Sequence, residues 1–406
     1  MNVLVVSDVD LMTGRSGAER LLAGHCQGLA KRGHSVYLIA GTRDGRGNAV
    51  EEIGGVRVYR YRRSLRSCLG SFRLFRILAR HVRFDVLIFH QPLSGLGVLL
   101  APGSRHLPKA CVFLSPWGEE YAARVPDGKS RSSYLNLHAG GRLLRRSVER
   151  FVLKACRRIF VLSRFMAGRL EAEHRGLNGR AAIVPGGVDL DQFRPVHDRL
   201  AVKEMLGLPL RSPVLLTIRN LEPRMGLDHL LQAMQSVVKT LDDVILIVGG
   251  EGPIEGALRD LAHRLGLERA VRFEGYVPEE RLPLLYQAAD FFVLPSKELE
   301  GFGLVAVEAL ACGTPVLGTP VGAIPEVLGG LEPDLVFGGT RPEAIAQGIR
   351  GHLRQFRADP QRYEALRKRC RIYASACFGW DRIIDRLEQE LLDLIDRVEE
   401  KTRCGA

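Results

Sequence analysis

Short, continuous apolar runs recur along the first half of the chain, and longer amphipathic stretches separate them. The runs span 2–7, 34–40, 56–61, 85–90, 110–114, 158–163 and 181–187. Strands that helices cover on both faces have this uniform apolar character, because neither face meets water. The first half is therefore predicted to be an α/β domain with a doubly wound parallel sheet.

The same alternation restarts in the second half, after a polar segment. Its apolar runs span 214–219, 244–250, 271–276, 291–296, 315–319 and 334–339. Acidic residues and a proline interrupt the pattern over 188–198, which is typical of a linker. We therefore predict two domains, 1–190 and 191–378, followed by a helix within 379–406, where apolar residues recur at helical spacing.

Length and composition agree with two cores. The chain has 406 residues, of which 46% are hydrophobic, and this is too long for one ordinary core. Its eight cysteines form no CxxC pair and no zinc-like cluster, so reduced thiols in a cytoplasmic protein are expected. No leader-like start and no stretch of about 18 apolar residues is evident.

Charge is distributed unevenly along the chain. The net charge is +12, but residues 1–190 carry 31 Lys and Arg against 14 Asp and Glu, a balance of +17, which leaves −5 for the rest. A cationic surface attracts nucleic acid, an anionic membrane or an acidic substrate alike. No nucleic-acid-binding motif is present, so no nucleic-acid partner is expected.

The basic segment 57–83 alternates apolar and cationic residues at helical spacing. This pattern is compatible with a helix that lies against an anionic bilayer. It is equally compatible with a helix that covers the sheet and leaves its arginines in solvent. Both interpretations stay open at this point.

Turns that follow the predicted strands carry candidates for anion binding. Gly17 lies in a turn that leads from the first strand into a helix, whose amides and dipole suit a phosphate. Arg219 and Arg224 follow a strand of the second half, and guanidinium groups match phosphate oxygens. Gly250 ends the next strand. Each could also be an ordinary turn residue.

The most specific feature is the segment 295–316, in which Glu300 and Glu308 lie on either side of a glycine-rich turn into a helix. Carboxylates accept hydrogen bonds from sugar hydroxyls, and amides at a helix start suit a phosphate. The residues that follow Glu300 are Gly301, Phe302, Gly303 and Leu304.

EGFGLVAVE at 300–308 resembles the acidic motif of glycosyltransferase family 4. Further segments resemble the family in the same order: SGAERLLAGHCQGLAKRGHSV, IVPGGVDLDQFRP, AADFFVLPS and GTPVGAIPEVL. The resemblance implies the GT-B fold, with two Rossmann-like domains facing a cleft and a C-terminal helix that packs back on the first domain. It also implies retaining transfer from a nucleotide diphosphate sugar to a glycan, lipid-linked or small-molecule acceptor.

The resemblance assigns roles to individual residues. Glu300 is implied to be the catalytic residue, which positions the donor sugar and is not a nucleophile, and Glu308 is implied to accept hydrogen bonds from the ribose. Arginines and helix starts can stabilise the leaving diphosphate, so no metal cofactor is expected. Asp8 and Asp10 spell a DxD pattern, which we interpret as chance or cleft lining.

The sequence departs from the family pattern at two places. Met225 occupies the position of a usual lysine, which leaves Arg219 and Arg224 as the cations for the donor. In 113–121, Leu114 and Ser115 stand where histidine and glycine are usual.

Three further residues are candidates on the acceptor side or near the sugar: His90, Trp117 and Glu120. A lone histidine at a strand end is more often structural.

The sequence leaves one alternative to an active transferase open and disfavours a second. The departures leave open a degenerate relative that binds nucleotide sugar without efficient turnover. A dinucleotide-dependent oxidoreductase is disfavoured, because neither half opens with GxGxxG followed by an acidic residue about twenty positions later.

Overall fold

The structure is a computed structural model that describes residues 1–11, 16–42, 50–62, 67–123 and 131–404, without the side chains of 121–140, 178, 399 and 401–404. The strands are β1 (Asn2–Ser7), β2 (Ser35–Thr42), β3 (Val50–Ile53), β4 (Val56–Arg62), β5 (Val86–Phe89), β6 (Lys109–Phe113), β7 (Arg158–Val161), β8 (Ala181–Ile183), β9 (Val214–Ile218), β10 (Ile245–Gly249), β11 (Val271–Gly275), β12 (Phe291–Leu294) and β13 (Val316–Gly318).

The helices separate these strands. They are α1 (Gly17–Lys31), α2 (Ser67–Leu78), α3 (Pro92–Leu99), α4 (Trp117–Ala123), α5 (Arg131–Ala155), α6 (Arg164–Glu173), α7 (Arg199–Met205), α8 (Leu227–Val238), α9 (Glu255–Arg264), α10 (Leu282–Ala288), α11 (Leu304–Ala311), α12 (Ile324–Gly329), α13 (Pro342–Ala358), α14 (Pro360–Phe378) and α15 (Trp380–Cys404). In the part of the chain that is described, no helix is both long and apolar enough to cross a membrane.

Two compact units make up the chain. Unit 1 comprises Met1–Gly186 and Trp380–Ala406, and unit 2 comprises Gly187–Gly379. The sequence analysis places these limits at 190/191 and 378/379. Each unit contains one sheet.

Unit 1 has an eight-stranded sheet in the order β3-β4-β2-β1-β5-β6-β7-β8. All neighbouring strands are parallel except β3 and β4, which form an antiparallel edge. The sequence analysis did not predict β3, whose residues Val50–Ile53 are half-buried or exposed and so lack a continuous apolar run. Of the central strands, β5 is fully buried and β1 is buried after Asn2, as their apolar character predicts.

The last helix, α15, belongs to unit 1 and packs against α1. Gly24 makes the close approach possible, because a Cβ at this position would lie 2.1 Å from Cζ2 of Trp380. Glu388 of α15 accepts a 2.6 Å hydrogen bond from Nε2 of His34, and Arg158 Nε donates to Glu390 Oε2 at 2.6 Å. Apolar packing and ion pairs together hold α15 on this unit.

Unit 2 has a five-stranded parallel sheet in the order β11-β10-β9-β12-β13. The prediction of a sixth strand at 334–339 is wrong. Pro333–Leu335 form a 3-10 turn, and only Val336 makes a single parallel bridge, to Gly318. Proline favours the turn, and Gly338 and Gly339 follow too closely for a strand to extend.

A buried carboxylate connects several elements of unit 2. Asp290 precedes β12 and is 1% exposed. Its Oδ1 accepts a 2.7 Å hydrogen bond from Nη2 of Arg199, and its Oδ2 accepts from Nζ of Lys203 at 2.9 Å and from the amide of Val214 at 2.8 Å. The hydroxyl of Tyr363 donates to its carbonyl. Asp290 thereby ties α7, α14 and the neighbouring strand β9 to the start of β12.

Candidate functional site

Three neighbouring strands of unit 2 end at one edge of the sheet, and each is followed by a candidate residue. Arg219 follows β9, Gly250 follows β10, and the loop 295–303 follows β12. Because these strands are adjacent and parallel, their carboxyl ends bring the loops together. The predicted donor-binding residues of the second half therefore meet in this unit.

Arg219 and Glu300 form a buried ion pair in this cluster. Arg219 Nη2 lies 2.5 Å from Glu300 Oε2, and the residues are 8% and 9% exposed. Ser296 donates a second hydrogen bond to the same carboxylate oxygen at 3.0 Å. Arg219 Nη1 is buried and has no hydrogen-bond partner among the described residues. One nitrogen of this guanidinium is therefore available to a further acceptor.

The charge of Arg219 keeps Glu300 ionised. Burial alone would raise the pKa of this carboxyl group, but the charge and hydrogen bond of Arg219, with the bond from Ser296, hold the pKa below its usual value. An ionised carboxylate can accept hydrogen bonds from sugar hydroxyls and cannot donate a proton. This arrangement suits a positioning role better than a general-acid role.

Close backbone approaches define the shape of the cluster. Gly250 has φ of 115°, and a Cβ at this position would lie 1.8 Å from the carbonyl oxygen of Arg219. Gly226 has φ of 74°, and its Cβ would lie 1.9 Å from the carbonyl oxygen of Pro295. Side chains at either position would force the loops apart. The sequence analysis left Gly250 open as an ordinary turn, and the structure gives it this packing reason.

Arg224 holds the backbone of the Glu300 loop. Its Nη1 donates to the carbonyl of Leu299 at 3.3 Å, and its Nε donates to Glu222 at 3.1 Å. Leu299 has φ of 51°, the single positive φ among non-glycine residues in the described ranges. Such strain persists where the surroundings impose it, often at functional sites. Arg224 thus contacts the loop of Glu300 rather than its carboxylate.

The acidic motif leads into α11. Gly303, with φ of 86°, is the N-cap residue, and Leu304 is the first residue of the helix. Glu308 lies one turn further, is 4% exposed, and its Oε2 accepts a 2.8 Å hydrogen bond from the hydroxyl of Tyr286. Phe302 packs edge-on against Phe378, so this side chain contributes to packing.

Sequence reasoning missed several residues that support this cluster. Ser296 contacts Glu300, and Tyr286 contacts Glu308. Lys297 pairs with Asp228 at 3.0 Å beside the Gly226 turn. Only Ser296 and Lys297 could have been suspected, because they lie within the motif segment; Tyr286 lies on another helix.

In unit 1, Gly17 opens α1 and is exposed. Ser16 caps this helix, since its Oγ accepts from the amide of Glu19 while Glu19 Oε2 accepts from the amide of Ser16. In this capping box the amides of Ser16 and Glu19 already donate hydrogen bonds, so they are not available to a phosphate. Residues 12–15 of the predicted anion-binding turn lie outside the described residues.

His90 follows β5 and is buried, with its Nε2 3.4 Å from Nδ1 of His25. Burial lowers the pKa of His25 to about 4, and burial together with His25 lowers the pKa of His90. Both rings are therefore neutral near pH 7. The partner of His90 is a second histidine that the sequence analysis did not associate with it.

Asp8 and Asp10, which spell the DxD pattern, both accept hydrogen bonds from neighbouring side chains. Asp10 Oδ2 accepts a 2.6 Å hydrogen bond from Nε of Arg60, and Asp8 Oδ1 accepts one of 3.0 Å from the hydroxyl of Tyr61. Within the described ranges, no group of three or more His, Cys, Asp or Glu residues is placed to hold a metal ion.

The segment around Trp117 lies at the start of α4. The amide of Trp117 donates to Glu149 Oε1 at 3.1 Å, and the guanidinium of Arg145 lies 5.6 Å from the centre of the Trp117 ring. Glu120 accepts a 3.0 Å hydrogen bond from the hydroxyl of Ser115. Trp117 thus joins this segment to α5, and the hydrogen bond between Ser115 and Glu120 lies within the segment.

Family models match both halves of the chain. The model described as Glycosyltransferase Family 4 matches residues 15–192, and the model described as Glycosyl transferases group 1 matches residues 198–374, which include the Arg219 and Glu300 cluster. The chain belongs to glycosyltransferase family 4. This confirms the resemblance on which the sequence analysis relied.

Curated relatives of this family 4 chain act on inositol-containing acceptors, as their names state. A D-inositol 3-phosphate glycosyltransferase of Streptomyces avermitilis is 34% identical over 57% of this chain and 50% of its own length. A GDP-mannose-dependent alpha-(1-6)-phosphatidylinositol monomannoside mannosyltransferase of Mycolicibacterium smegmatis is 34% identical over 48% of this chain and 52% of its own. The chain spans about half the length of the curated relatives it matches.

Solved glycosyltransferases share the fold of this family 4 chain. Sucrose-phosphate synthase from Thermosynechococcus elongatus superposes with a TM-score of 0.80 at 22% identity, covering 98% of this chain and 100% of the other. WaaG, a glycosyltransferase involved in lipopolysaccharide biosynthesis, gives 0.70 at 18% identity over 92% and 95%. These likenesses confirm the predicted GT-B fold with its Rossmann-like domains.

Proposed function

We propose that the chain transfers a hexose-class sugar from a nucleotide diphosphate donor to an acceptor hydroxyl. The observation that carries this proposal is the buried guanidinium of Arg219, whose Nη2 holds Glu300 and whose Nη1 has no partner among the described residues. A diphosphate oxygen would satisfy that nitrogen, and the sugar beyond it would meet the ionised carboxylate of Glu300. Glu308, at the next turn of α11, is proposed to contact the ribose.

We propose that the leaving diphosphate is stabilised without an essential metal ion. Arg219 supplies a fixed positive charge, and Gly301, Gly303 and the start of α11 supply backbone amides. Such preorganised donors stabilise charge that grows on the leaving oxygen. A chelator added to the purified protein should therefore leave the turnover unchanged.

Transfer with retention of configuration is part of the same proposal. Glu300 is held by Arg219 and Ser296 through one oxygen, so the carboxylate is restrained and its nucleophilicity is reduced. We propose that Glu300 positions the sugar while the departing phosphate accepts the proton of the acceptor hydroxyl on the same face. His90, Trp117 and Glu120 are proposed to lie on the acceptor side.

We propose a glycan or lipid-linked acceptor and a location at the cytoplasmic face of an anionic membrane. Two observations support this: the curated relatives named above carry inositol phosphate or phosphatidylinositol in their names, and the first 190 residues have a large positive balance. A cationic domain would raise the local concentration of such acceptors.

The proposed activity is tested by turnover. Purified protein is incubated with UDP-, GDP- and ADP-linked sugars, with and without inositol phosphate or phosphatidylinositol, and release of the nucleoside diphosphate is quantified. Release from one donor, enhanced by an acceptor, is the expected result. Binding of a nucleotide sugar without any release would instead support the degenerate relative, which the departures at Leu114 and Met225 motivate.

A further inference from the structure

An exposed apolar stripe lies on α5 of unit 1. Leu143, Leu144 and Phe151 are 62%, 66% and 53% exposed. At 3.6 residues per turn these three side chains fall on one face of the helix, with Leu144 and Phe151 two turns apart. We call these three residues the α5 stripe. Large apolar side chains grouped on a surface usually mark an interaction site.

Cations flank the α5 stripe. Arg146 and Arg150 lie on the Leu143 side of it, and Lys154 is exposed at its end. The one acidic residue of this stretch, Glu149, is 3% exposed and faces inward. Arg142 and Arg146 also approach Glu119 and Glu173, and yet the surface beside the stripe remains predominantly cationic.

The neighbouring helices continue this character. Helix α3 packs against both α5 and α2, so the three form one layer. On α2, Leu69 and Ile77 are 48% and 54% exposed, and the segment 67–83 contains four arginines and no acidic residue. The layer therefore combines exposed apolar groups with an excess of positive charge.

We propose that the α5 stripe inserts into the headgroup region of an anionic bilayer while the flanking cations contact lipid phosphates. An amphipathic helix with apolar and cationic residues side by side matches this environment. A protein partner would need no such excess of cations, and the charge therefore selects an anionic lipid surface. This inference rests on the proposed membrane location and names the surface that carries it.

Vesicle binding tests the α5 stripe. The full chain is sedimented with vesicles of phosphatidylcholine alone or with added phosphatidylglycerol, at low and high salt. We expect binding only to the anionic vesicles, weaker at high salt, and reduced on the order of tenfold in Leu144→Gln/Phe151→Gln. Leu200→Gln/Ile372→Gln is the matched control, because these exposed apolar residues of unit 2 lie outside the stripe.

Two results would overturn this inference. One is unchanged vesicle binding of the stripe variant; the other is a concentration-dependent dimer, seen by light scattering, that the stripe variant abolishes. Turnover with a water-soluble acceptor is measured in parallel. Its retention alongside lost vesicle binding separates failure of the docking surface from failure of the proposed activity.

Glu149 and His174 form a buried pair that contacts the start of α4. Glu149 of α5 and His174, after α6, are 3% and 0% exposed, and His174 Nε2 lies 2.9 Å from Glu149 Oε2. The other oxygen of Glu149 accepts the amide hydrogen of Trp117 at 3.1 Å. A single carboxylate thereby fixes the start of α4 against α5 and α6.

The geometry points to Glu149 as a positioning residue for the segment that contains Trp117 and Glu120. Burying a carboxylate is costly, and here its two oxygens each have a defined partner. His174 packs edge-on against Phe113, the last residue of β6, which precedes the segment. Through these contacts Glu149 sets where Trp117 lies, and its effect on transfer, which rests on the proposed function, is exerted through that segment.

Trp117 fluorescence gives a readout that does not depend on a donor. The chain has two tryptophans, so the emission of Trp117 is obtained by subtracting the spectrum of the matching Trp117→Phe variant. In Glu149→Ala we expect a shifted Trp117 emission and a fall in kcat of about ten- to hundredfold with little change in the donor KM. Glu149→Gln keeps an acceptor for the Trp117 amide. In this variant the Trp117 emission and kcat should both return towards the wild-type values.

Trp117 emission and turnover together distinguish a wrong positioning role for Glu149 from a wrong proposed function. Unchanged Trp117 emission in Glu149→Ala would overturn the positioning role. A shifted emission in a protein that never turns over a donor would leave the positioning of the segment intact and contradict the proposed function instead. Measurements are made well below the unfolding temperature of each variant, so that a loss of folding is not read as a displaced segment.

Discussion

Arg219→Ala is expected to lower kcat/KM for the donor by about 10²–10³-fold, because it removes a preorganised donor to the leaving diphosphate. The variant also leaves the buried carboxylate of Glu300 without its cation. Without Arg219 the pKa of Glu300 should rise, since burial would then be opposed mainly by the weaker effects of Ser296 and Arg224. Steady-state kinetics of nucleoside diphosphate release measure the effect.

The pH dependence of stability gives a second test of the contact between Arg219 and Glu300. In the wild type the pKa of Glu300 is lowered, so its contribution to stability is present above the usual carboxyl range and is lost as the pH falls through the lowered pKa. In Arg219→Ala this contribution should shrink. Arg281→Ala, which changes a more exposed arginine of the same unit, is the control and should retain near-wild-type turnover. Equal losses in both variants would contradict the role of Arg219.

Asp290→Ala is expected to destabilise the protein by about 3–5 kcal/mol, since it leaves two cations near a buried site without their carboxylate. Arg199 and Lys203 both lose a charged acceptor and keep only backbone carbonyls nearby as hydrogen-bond acceptors, and the amide of Val214 loses its side-chain acceptor. For a domain of this size each kcal/mol corresponds to about 2–4 °C, so the unfolding temperature should fall by roughly 10 °C. Calorimetry of the full chain measures this change.

Asp243→Ala is the matched control for this prediction. Asp243 pairs with Arg357, and both side chains are substantially exposed, at 44% and 40%. Exposed ion pairs contribute little, so a change within about 0.5 kcal/mol is expected. If Asp243→Ala were as damaging as Asp290→Ala, the argument from burial would be wrong.

The apolar pattern was sufficient for most of the two sheets. The run 2–7 corresponds to β1, and 291–296 contains β12, because a strand covered on both faces has a distinctive composition. The pattern was insufficient where a strand is half-exposed, as in β3, and misleading at 334–339, where apolar residues fill a turn instead of a strand.

The candidate site was predictable in its residues but not in its contacts. Glu300 could be proposed from the motif alone, whereas its pairing with Arg219, 81 residues away, depends on the adjacency of β9 and β12. The contact of Trp117 with Glu149 and the pairing of His25 with His90 likewise join residues that are far apart in the sequence. No local spacing encodes such contacts, because they follow from the order of strands and the packing of helices.

Calorimetric titration with a panel of nucleoside diphosphates tests the central claim most directly. The account predicts that one nucleoside diphosphate binds the wild type and Arg281→Ala with similar affinity, and that its affinity for Arg219→Ala falls by at least about tenfold, the loss of one charged hydrogen bond. Equal affinity of Arg219→Ala and the wild type would contradict the assignment of the donor site to the Arg219 and Glu300 cluster.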